Sequence, residues 1–139
     1  MADLKALIAK ARAQIEESRE AFEIEIGGEI VPLVFRQLPG HEWADLVVAH
    51  PPRQGTDRNI GFNSDALVRD YPVSHITVDG EPVDVETWQE LYDAATSPNI
   101  KIMAAAAWAL NQNLPWQRIQ ELGKARAGGS MKKRRSPAS

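Results

Sequence analysis

The sequence predicts an α+β fold: a mostly helical single domain with an N-terminal β-hairpin, a helical C-terminal third and a disordered basic tail. Strand-like alternation around a Gly-Gly turn marks the hairpin at residues 22–36. Helical spacing of apolar residues dominates residues 85–123. A chain of 139 residues is near the common size of one hydrophobic core, which gives one domain over residues 1–124 and a flexible basic tail over residues 125–139.

The hairpin follows from the period of its side chains. Apolar residues alternate with glutamates over residues 22–26, as in a half-buried strand. The Gly-Gly dipeptide at 27–28 supplies the positive φ angles of a two-residue turn. Pairing outward from this turn places Ile24 opposite Val31, so that both strands bury the same face. Because Pro32 cannot donate to a ladder, the second strand is either an edge strand or turns the nitrogen of Pro32 outward.

The other segments are predicted to be helical from the spacing of their apolar residues and from signals at their ends. Asp3 is a candidate N-cap, and Ser97-Pro98 gives an N-cap followed by proline at the first helical position. The helices are predicted at residues 3–19, 41–50, 64–71, 85–96, 98–113 and 115–123, with a short strand at 75–78 and a turn at 78–84.

For two of these helices the sequence also predicts how they pack. The helix at 98–113 has Lys101 as its single charge, and a helix that is apolar nearly all round belongs in the middle of a fold. The last helix is expected to turn its apolar residues inward and to end at Gly123; these residues are Trp116, Ile119 and Leu122.

The N-terminal helix has an apolar stripe opposite a charged face. Its candidate partner-binding residues are Leu4, Leu7, Ile8 and Ile15, which lie at helical spacing together with Ala11. The stripe has two interpretations. It packs against the protein's own core, or it is an amphipathic element that binds another protein.

The sequence offers no pattern of a catalytic or metal site. Without cysteine, disulfides, thiolate ligands and a cysteine nucleophile are excluded. His41, His50 and His75 do not combine with carboxylates at a metal-ligand spacing. The acidic residues of 79–86 indicate a turn and an acidic helix start, not a calcium loop. We therefore expect no enzyme, and no catalytic, cofactor-binding or metal-ligating residue.

Charge is unevenly distributed along the chain. Residues 120–139 hold six bases and one acid, a net charge of +5, so that residues 1–119 carry −8 of the total of −3. A nucleic-acid arm is one interpretation of the basic end. The acidic remainder would repel a polyanion, and no aromatic residue lies among the bases to stack on nucleotides, which disfavours it. The longest apolar run, 102–110, is too short to cross a membrane, and we expect a soluble cytoplasmic protein.

Three segments in a fixed order resemble a known family. They are EWADLVVAHPPR at 42–53, GFNSDALVRDYP at 61–72 and ITVDGEPVDVETWQELYD at 76–93. Together with the glycine-turn hairpin before them, they are similar to the tail assembly chaperones of long-tailed phages that infect actinobacteria. The resemblance covers roughly residues 20–125, and none of its motifs is a catalytic or metal-binding pattern.

The resemblance implies a role in binding. Chaperones of this family coat the long, aggregation-prone tape measure protein until the tail tube assembles around it. They act in the cytoplasm of the host cell and are absent from the mature virion. The implied partners are the tape measure protein, a longer frameshifted form of the chain itself, the major tail tube protein and further copies of the chain, with no membrane among them.

The family makes its longer form by a programmed ribosomal slip near the end of the short reading frame. Gly123-Lys124 is a dipeptide whose codons can read GGGAAA, a run on which such a slip occurs, and we hypothesise that the frameshift junction lies there. The tail at 125–139 would then be the default ending of the short product. Two other functions remain open: a structural tail or head-completion protein of the virion, and a nucleic-acid-binding regulator that uses the basic tail.

Overall fold

The computed structural model describes the backbone of residues 3–135 and the side chains of residues 3–126. Its elements confirm the α+β class. In chain order they are α1 (Leu4–Glu17), β1 (Arg19–Ile26), β2 (Glu29–Arg36), α2 (Gly40–Val48), α3 (Ser64–Arg69), a 3-10 turn (Val73–His75), β3 (Ile76–Val78), β4 (Glu81–Pro82), α4 (Val85–Ala94), α5 (Ser97–Trp108), a π-helical turn (Ala109–Asn113) and α6 (Leu114–Arg135).

The four strands form one antiparallel sheet in the order β1-β2-β3-β4. The predicted register is confirmed, with Ile24 opposite Val31, and β1 extends back to Arg19. Strand β2 lies between β1 and β3, so it is not an edge strand. Pro32 is tolerated because β3 pairs only with residues 33–35, and the Pro32 carbonyl accepts a hydrogen bond of 2.7 Å from the Asp79 backbone nitrogen.

One face of the sheet packs on the helices around Phe35. The ring of Phe35 is fully buried, stacks on Tyr71 at a centroid distance of 4.6 Å, and meets Trp88 of α4 edge-on at 6.0 Å.

Helix α5 packs on β1 and α3, but it is not buried all round as predicted, because Ile102 is 40% exposed and Ala105 is exposed. Its first turn is tied to β1. The Asn99 side chain accepts from the Glu25 nitrogen and donates to the Glu25 carbonyl, at 3.0 and 2.6 Å.

Several helices are shorter than predicted. The predicted helix 3–19 ends at Glu17, because Ser18 is extended and leads directly into β1. The helices predicted at 41–50, 64–71 and 85–96 also end two residues early. Helix 98–113 is α-helical only as far as Trp108 and finishes in the π turn.

The predicted end of the last helix at Gly123 is wrong. Helix α6 continues to Arg135, past the predicted boundary of the domain at residue 124. Lysine, arginine and alanine around Gly123 favour a helix, which outweighs the glycine. Residues 136–139 of the predicted tail lie outside the described residues. No helix in the described part is long and apolar enough to cross a membrane.

Candidate protein-binding surface

Helix α1 does not pack on the core. It has no buried residue, and Leu4, Leu7 and Ile8 are 68%, 48% and 42% exposed, while Ile15 near its end is half-buried. Asp3 caps the helix as predicted, through its carboxylate and the Lys5 nitrogen at 3.2 Å. Of the two interpretations of this stripe, packing on the protein's own core is therefore wrong. Three of the four predicted partner-binding residues, Leu4, Leu7 and Ile8, face solvent, and Ile15 is half-buried.

The second apolar surface lies on α6, where none was predicted. Trp116, Ile119 and Leu122 are 55%, 60% and 66% exposed, so the expectation that they turn inward is wrong. They recur at every third residue, which keeps them on one broad face of the helix. The body ends just before this face begins. Leu110 in the π turn is buried, whereas none of the side chains from Leu114 to Arg126 is buried. Basic residues beside the stripe, such as Arg118 and Lys124, are the signal that could have revealed it.

Both surfaces begin at one place on the body. The Ser18 carbonyl, directly after α1, accepts a hydrogen bond of 3.0 Å from the Gln37 nitrogen. The next nitrogen, that of Leu38, donates to Oδ1 of Asn111 in the π turn at 2.8 Å. Consecutive residues of one segment therefore hold the end of α1 and the turn that precedes α6.

The π turn is fixed by side-chain hydrogen bonds to the body. Nδ2 of Asn111 donates to the Tyr71 hydroxyl at 2.9 Å, and this hydroxyl donates to the Arg36 carbonyl at 2.8 Å. Burial raises the pKa of the Tyr71 phenol, so it stays protonated and keeps its donor. Oε1 of Gln112 accepts from Nε1 of Trp43 at 2.9 Å. The root of α6 is thus rigid, although the helix beyond it is exposed.

An apolar groove leads from the body onto α6. Its volume is about 740 Å³, and it is lined chiefly by Val47, Ile60, Phe62, Trp108 and Trp116. Phe62 is held in its wall by Trp43, whose ring meets it edge-on at 5.8 Å. Trp116 belongs both to the groove and to the α6 stripe, which makes the two surfaces continuous.

A network of charges fixes the loop that carries Ile60. Asp57 is buried and accepts hydrogen bonds from the backbone nitrogen, Nε and a terminal nitrogen of Arg53, at 2.6, 2.9 and 2.9 Å. These bonds lower the pKa of Asp57 to about 2 and raise that of Arg53. Burial of Asp65 acts to raise its pKa, but hydrogen bonds from Lys101 and Arg53 outweigh this and leave it lowered. The network is structural, since it ties the loop after α2 to α3 and α5.

The histidines and acids do not form a recognisable metal centre. Among residues 3–126 no group of three or more histidine, aspartate or glutamate side chains could hold a metal ion. His50 contacts Asp70 at 2.7 Å and the Leu46 carbonyl at 2.7 Å, and its ring bridges α2 and the end of α3. His75 lies beside Ser74, and burial, with the nearby Arg36, lowers its pKa.

The two exposed helices and the body between them differ in charge. Helix α1 (Leu4–Glu17) carries three bases, Lys5, Lys10 and Arg12, and two acids, Glu16 and Glu17. Residues 114–126 of α6 carry three bases and one acid, Glu121. Residues 18–113 carry six bases and fifteen acids, a net charge of −9. Gly123 and Lys124, the hypothetical frameshift junction, lie inside α6 and are exposed.

The comparisons with known proteins give no match: no family model, no curated protein and no solved structure matches this chain.

Proposed function

We propose that this protein is a tail assembly chaperone that binds the tape measure protein of a long-tailed phage and keeps it soluble during tail assembly. The observation that carries the proposal is the pair of solvent-exposed apolar stripes on α1 and α6, two helices that leave one place on a body with its own core. Contiguous apolar surface of this kind marks a site of protein interaction. The resemblance of residues 20–125 to such chaperones supplies the identity of the client.

The shape of the surface suits an elongated helical client. A tape measure protein presents long apolar helical faces, and exposed amphipathic helices beside a groove recognise such faces by packing stripe against stripe. Many copies bound along one client can each bind weakly and still cover it. The longer frameshifted form, the tail tube protein and further copies of the chain are the other proposed partners.

Gly123 supports the frameshift part of the proposal. A glycine inside an exposed helix costs about 1 kcal/mol relative to alanine. Its φ is not in the left-handed region, and a Cβ added there would meet nothing within 4 Å, so neither conformation nor packing requires glycine. A constraint on the codons explains it better. Leu122 is the last residue of the α6 stripe and precedes the junction, so both products would keep the whole stripe.

The test of binding is co-expression with the tape measure protein. Leu7→Asp with Ile8→Asp, or Ile119→Asp with Leu122→Asp, should lower the soluble fraction of the client, because a charge enters each stripe. Ala6→Asp with Ala13→Asp, and Gln117→Asp with Ala125→Asp, place the same two charges on exposed positions of the same helices outside the stripes and serve as matched controls. A client that stays as soluble with the stripe variants as with the unaltered chain would rule out these surfaces.

Two further observations separate the proposal from its alternatives. A chaperone should be missing from purified virions analysed by mass spectrometry, whereas a structural tail or head-completion protein should be present. Codons 123–124 should contain a slippery heptamer, and a gene that lacks one removes the frameshift hypothesis while leaving the binding proposal intact.

A further inference from the structure

We infer that the open edge of strand β1, residues 19–23, pairs with the same edge of a second copy of the chain, so that two sheets join about a twofold axis at Ala21. The inference goes beyond the proposed function, which names further copies of the chain as partners but gives no surface for them. It depends neither on the client nor on the exposed stripes of α1 and α6.

Strand β1 lies at the edge of the sheet, and the register shows which of its backbone groups point outward. The Gln37 nitrogen donates to the Ser18 carbonyl, a pair that continues the ladder, so the even-numbered residues of β1 exchange hydrogen bonds with β2. The odd-numbered residues therefore direct their N–H and C=O groups away from the sheet. They are Arg19, Ala21, Glu23 and Glu25. Of these four, in the part of the chain that the structure describes, only Glu25 has a hydrogen-bond partner for these groups.

The open edge has two defined ends. Asn99 at the start of α5 occupies the N–H and C=O of Glu25, at 3.0 and 2.6 Å, as a neighbouring strand would. The helical run that follows Asn99 leaves the edge and reaches the π turn, which bonds to Leu38 beyond β2. At the other end the chain departs at Ser18 into α1, which contacts β2 on the inner side of β1. The pairing groups between these ends are those of residues 19–23, with Ala21 at their centre.

Antiparallel pairing about Ala21 places unlike charges opposite each other. Arg19 then lies opposite the partner's Glu23, and Glu23 lies opposite the partner's Arg19. Within one copy, neither side chain forms an ion pair among residues 3–126, although both are exposed. Arg19 is instead opposite Arg36 in the ladder with β2, and like charges directly opposite each other are unfavourable. A carboxylate from a second copy would offset this repulsion.

The other charges near the edge limit the pairing to these residues. Glu20 is half-buried on the other face of β1 and would lie opposite the partner's Phe22. The two copies of Glu20 would be diagonal neighbours, about 8 Å apart, which is unfavourable but weaker than a direct contact. Glu16 and Glu17 at the end of α1 would come near the partner's Glu25, so repulsion opposes any extension of the ladder beyond Arg19.

Other pairings use the open edge less well. Shifting the register one way sets Arg19 opposite the partner's Glu25, whose backbone groups Asn99 already occupies. Shifting it the other way leaves Glu23 beyond the end of the partner's strand. The opposite edge of the sheet, β4, is two residues long and includes Pro82, so it offers no comparable ladder. The assembly therefore closes as a dimer and does not extend into a fibre.

The size of the contact predicts a weak dimer. Three residues of each copy provide about six backbone hydrogen bonds and two ion pairs. Such a contact is smaller than the roughly 1,200–2,000 Å² of a standard interface, which is typical of transient association. We expect a dissociation constant on the order of 10–100 μM. An unrelated extended peptide would gain the same backbone bonds without the two ion pairs, which favours a second copy as the occupant.

The first test measures dimerisation of the full chain by sedimentation equilibrium, from about 1 to 500 μM. Arg19→Glu and Glu23→Arg should each weaken the dimer at least about tenfold, because each sets two like-charged pairs across the axis. Combining them reverses both ion pairs without losing either, and should restore the dimer. Arg58→Glu and Glu29→Arg make the same charge changes at exposed positions outside the open edge and should have little effect.

The second test addresses the backbone at the axis. Ala21→Pro removes an outward N–H, which an edge strand tolerates, so the circular dichroism of the folded protein should be kept while the dimer is lost. Ala21→Cys in the cysteine-free chain sets two thiols across the axis, where the Cα atoms of a hydrogen-bonded pair lie about 5.5 Å apart, within reach of a disulfide. Oxidation should cross-link this variant. It should not cross-link Ala44→Cys, a control that is also exposed.

Several results would overturn the inference: a chain that stays monomeric throughout this range, a dimer indifferent to both charge reversals, or a combined variant that fails to restore it. A dimer that persists in Ala21→Pro would do the same, and if that variant does not fold, the charge reversals decide. A dimer abolished only by Leu7→Asp or Ile119→Asp would place the interface on the exposed stripes and would also overturn it. A monomeric chain that keeps the client soluble contradicts this inference alone, whereas a dimer that leaves the client insoluble contradicts the proposed function alone.

Discussion

Helices α5 and α6 belong to one continuous helical run from Ser97 to Arg135, yet they meet entirely different surroundings. In α5, Met103, Ala104, Ala106 and Ala107 are buried, and the helix packs on β1 and α3. In α6, the apolar residues stand in solvent. A difference in charge accompanies this: Lys101 is the only charge in α5, whereas residues 114–126 of α6 carry Arg118, Glu121, Lys124 and Arg126. The body therefore ends where charges begin to accompany the apolar residues, and not where the helix ends.

The largest expected effect is a loss of stability. It is tested by comparing a tryptophan of the body with a tryptophan on α6. Trp88 is 1% exposed and donates through Nε1 to the Val68 carbonyl at 3.0 Å, so Trp88→Ala should lower the free energy of unfolding by about 3–5 kcal/mol. Trp116→Ala removes the same side chain from α6 and should change it by less than about 0.5 kcal/mol. Urea denaturation measures both. A large loss with Trp116→Ala would place α6 inside the cooperative body.

A smaller effect on stability is expected from a substitution in the loop beside the groove, and this effect depends on pH. The folded-state pKa of Asp57, about 2, lies below its ordinary value of 3.8, so the contribution of its ionised form to stability is present above about pH 4 and is lost as the pH falls towards 2. Asp57→Asn should lower Tm at neutral pH, and the difference from the unaltered protein should shrink over this window. Asp45→Asn is the control, since Asp45 is exposed and has no ion pair among the described residues. A difference that persists at pH 2 would contradict the role of the carboxylate.

The smallest effect on the free energy of unfolding is expected when α1 is removed. Deleting residues 1–14 leaves the half-buried Ile15 and the Ser18 hydrogen bond in place, and should change the free energy of unfolding by less than about 0.5 kcal/mol. Helical circular dichroism should fall, and client binding should be lost. A substantial decrease in stability would show that α1 and the body form one unit, and the contrast between them would disappear.

Local patterns were sufficient to predict the register of the β1–β2 hairpin and the buried face of α5. Alternation at residues 22–26 and the Gly-Gly turn determine the hairpin, whose glycines have φ of 61° and 87°, and the near absence of charge in α5 predicts its burial. The two exposed stripes could not be distinguished from buried ones. An apolar stripe at helical spacing is the same whether its partner is the chain's own core or another protein.

The hydrogen bonds that join the candidate surface to the body also could not be predicted from the sequence. The root that joins α1 to α6 depends on Asn111 reaching Leu38, 73 residues earlier, and nothing local in the sequence marks that hydrogen bond. Likewise, the predicted end at Gly123 rested on glycine as a helix breaker, while the surrounding lysines, arginines and alanines decide the outcome.

The π turn determines in which direction the side chains of α6 point around the helix axis. Because such a turn adds about one residue to a helical cycle, it rotates α6 by roughly 100° relative to an uninterrupted α-helix. That phase determines that Trp116 meets the groove beside Phe62. Straightening Ala109–Asn113 into a regular α-helix with all its residues kept would turn the indole to another side of α6, whereas deleting one residue along with the extra width of the turn would leave its direction nearly unchanged.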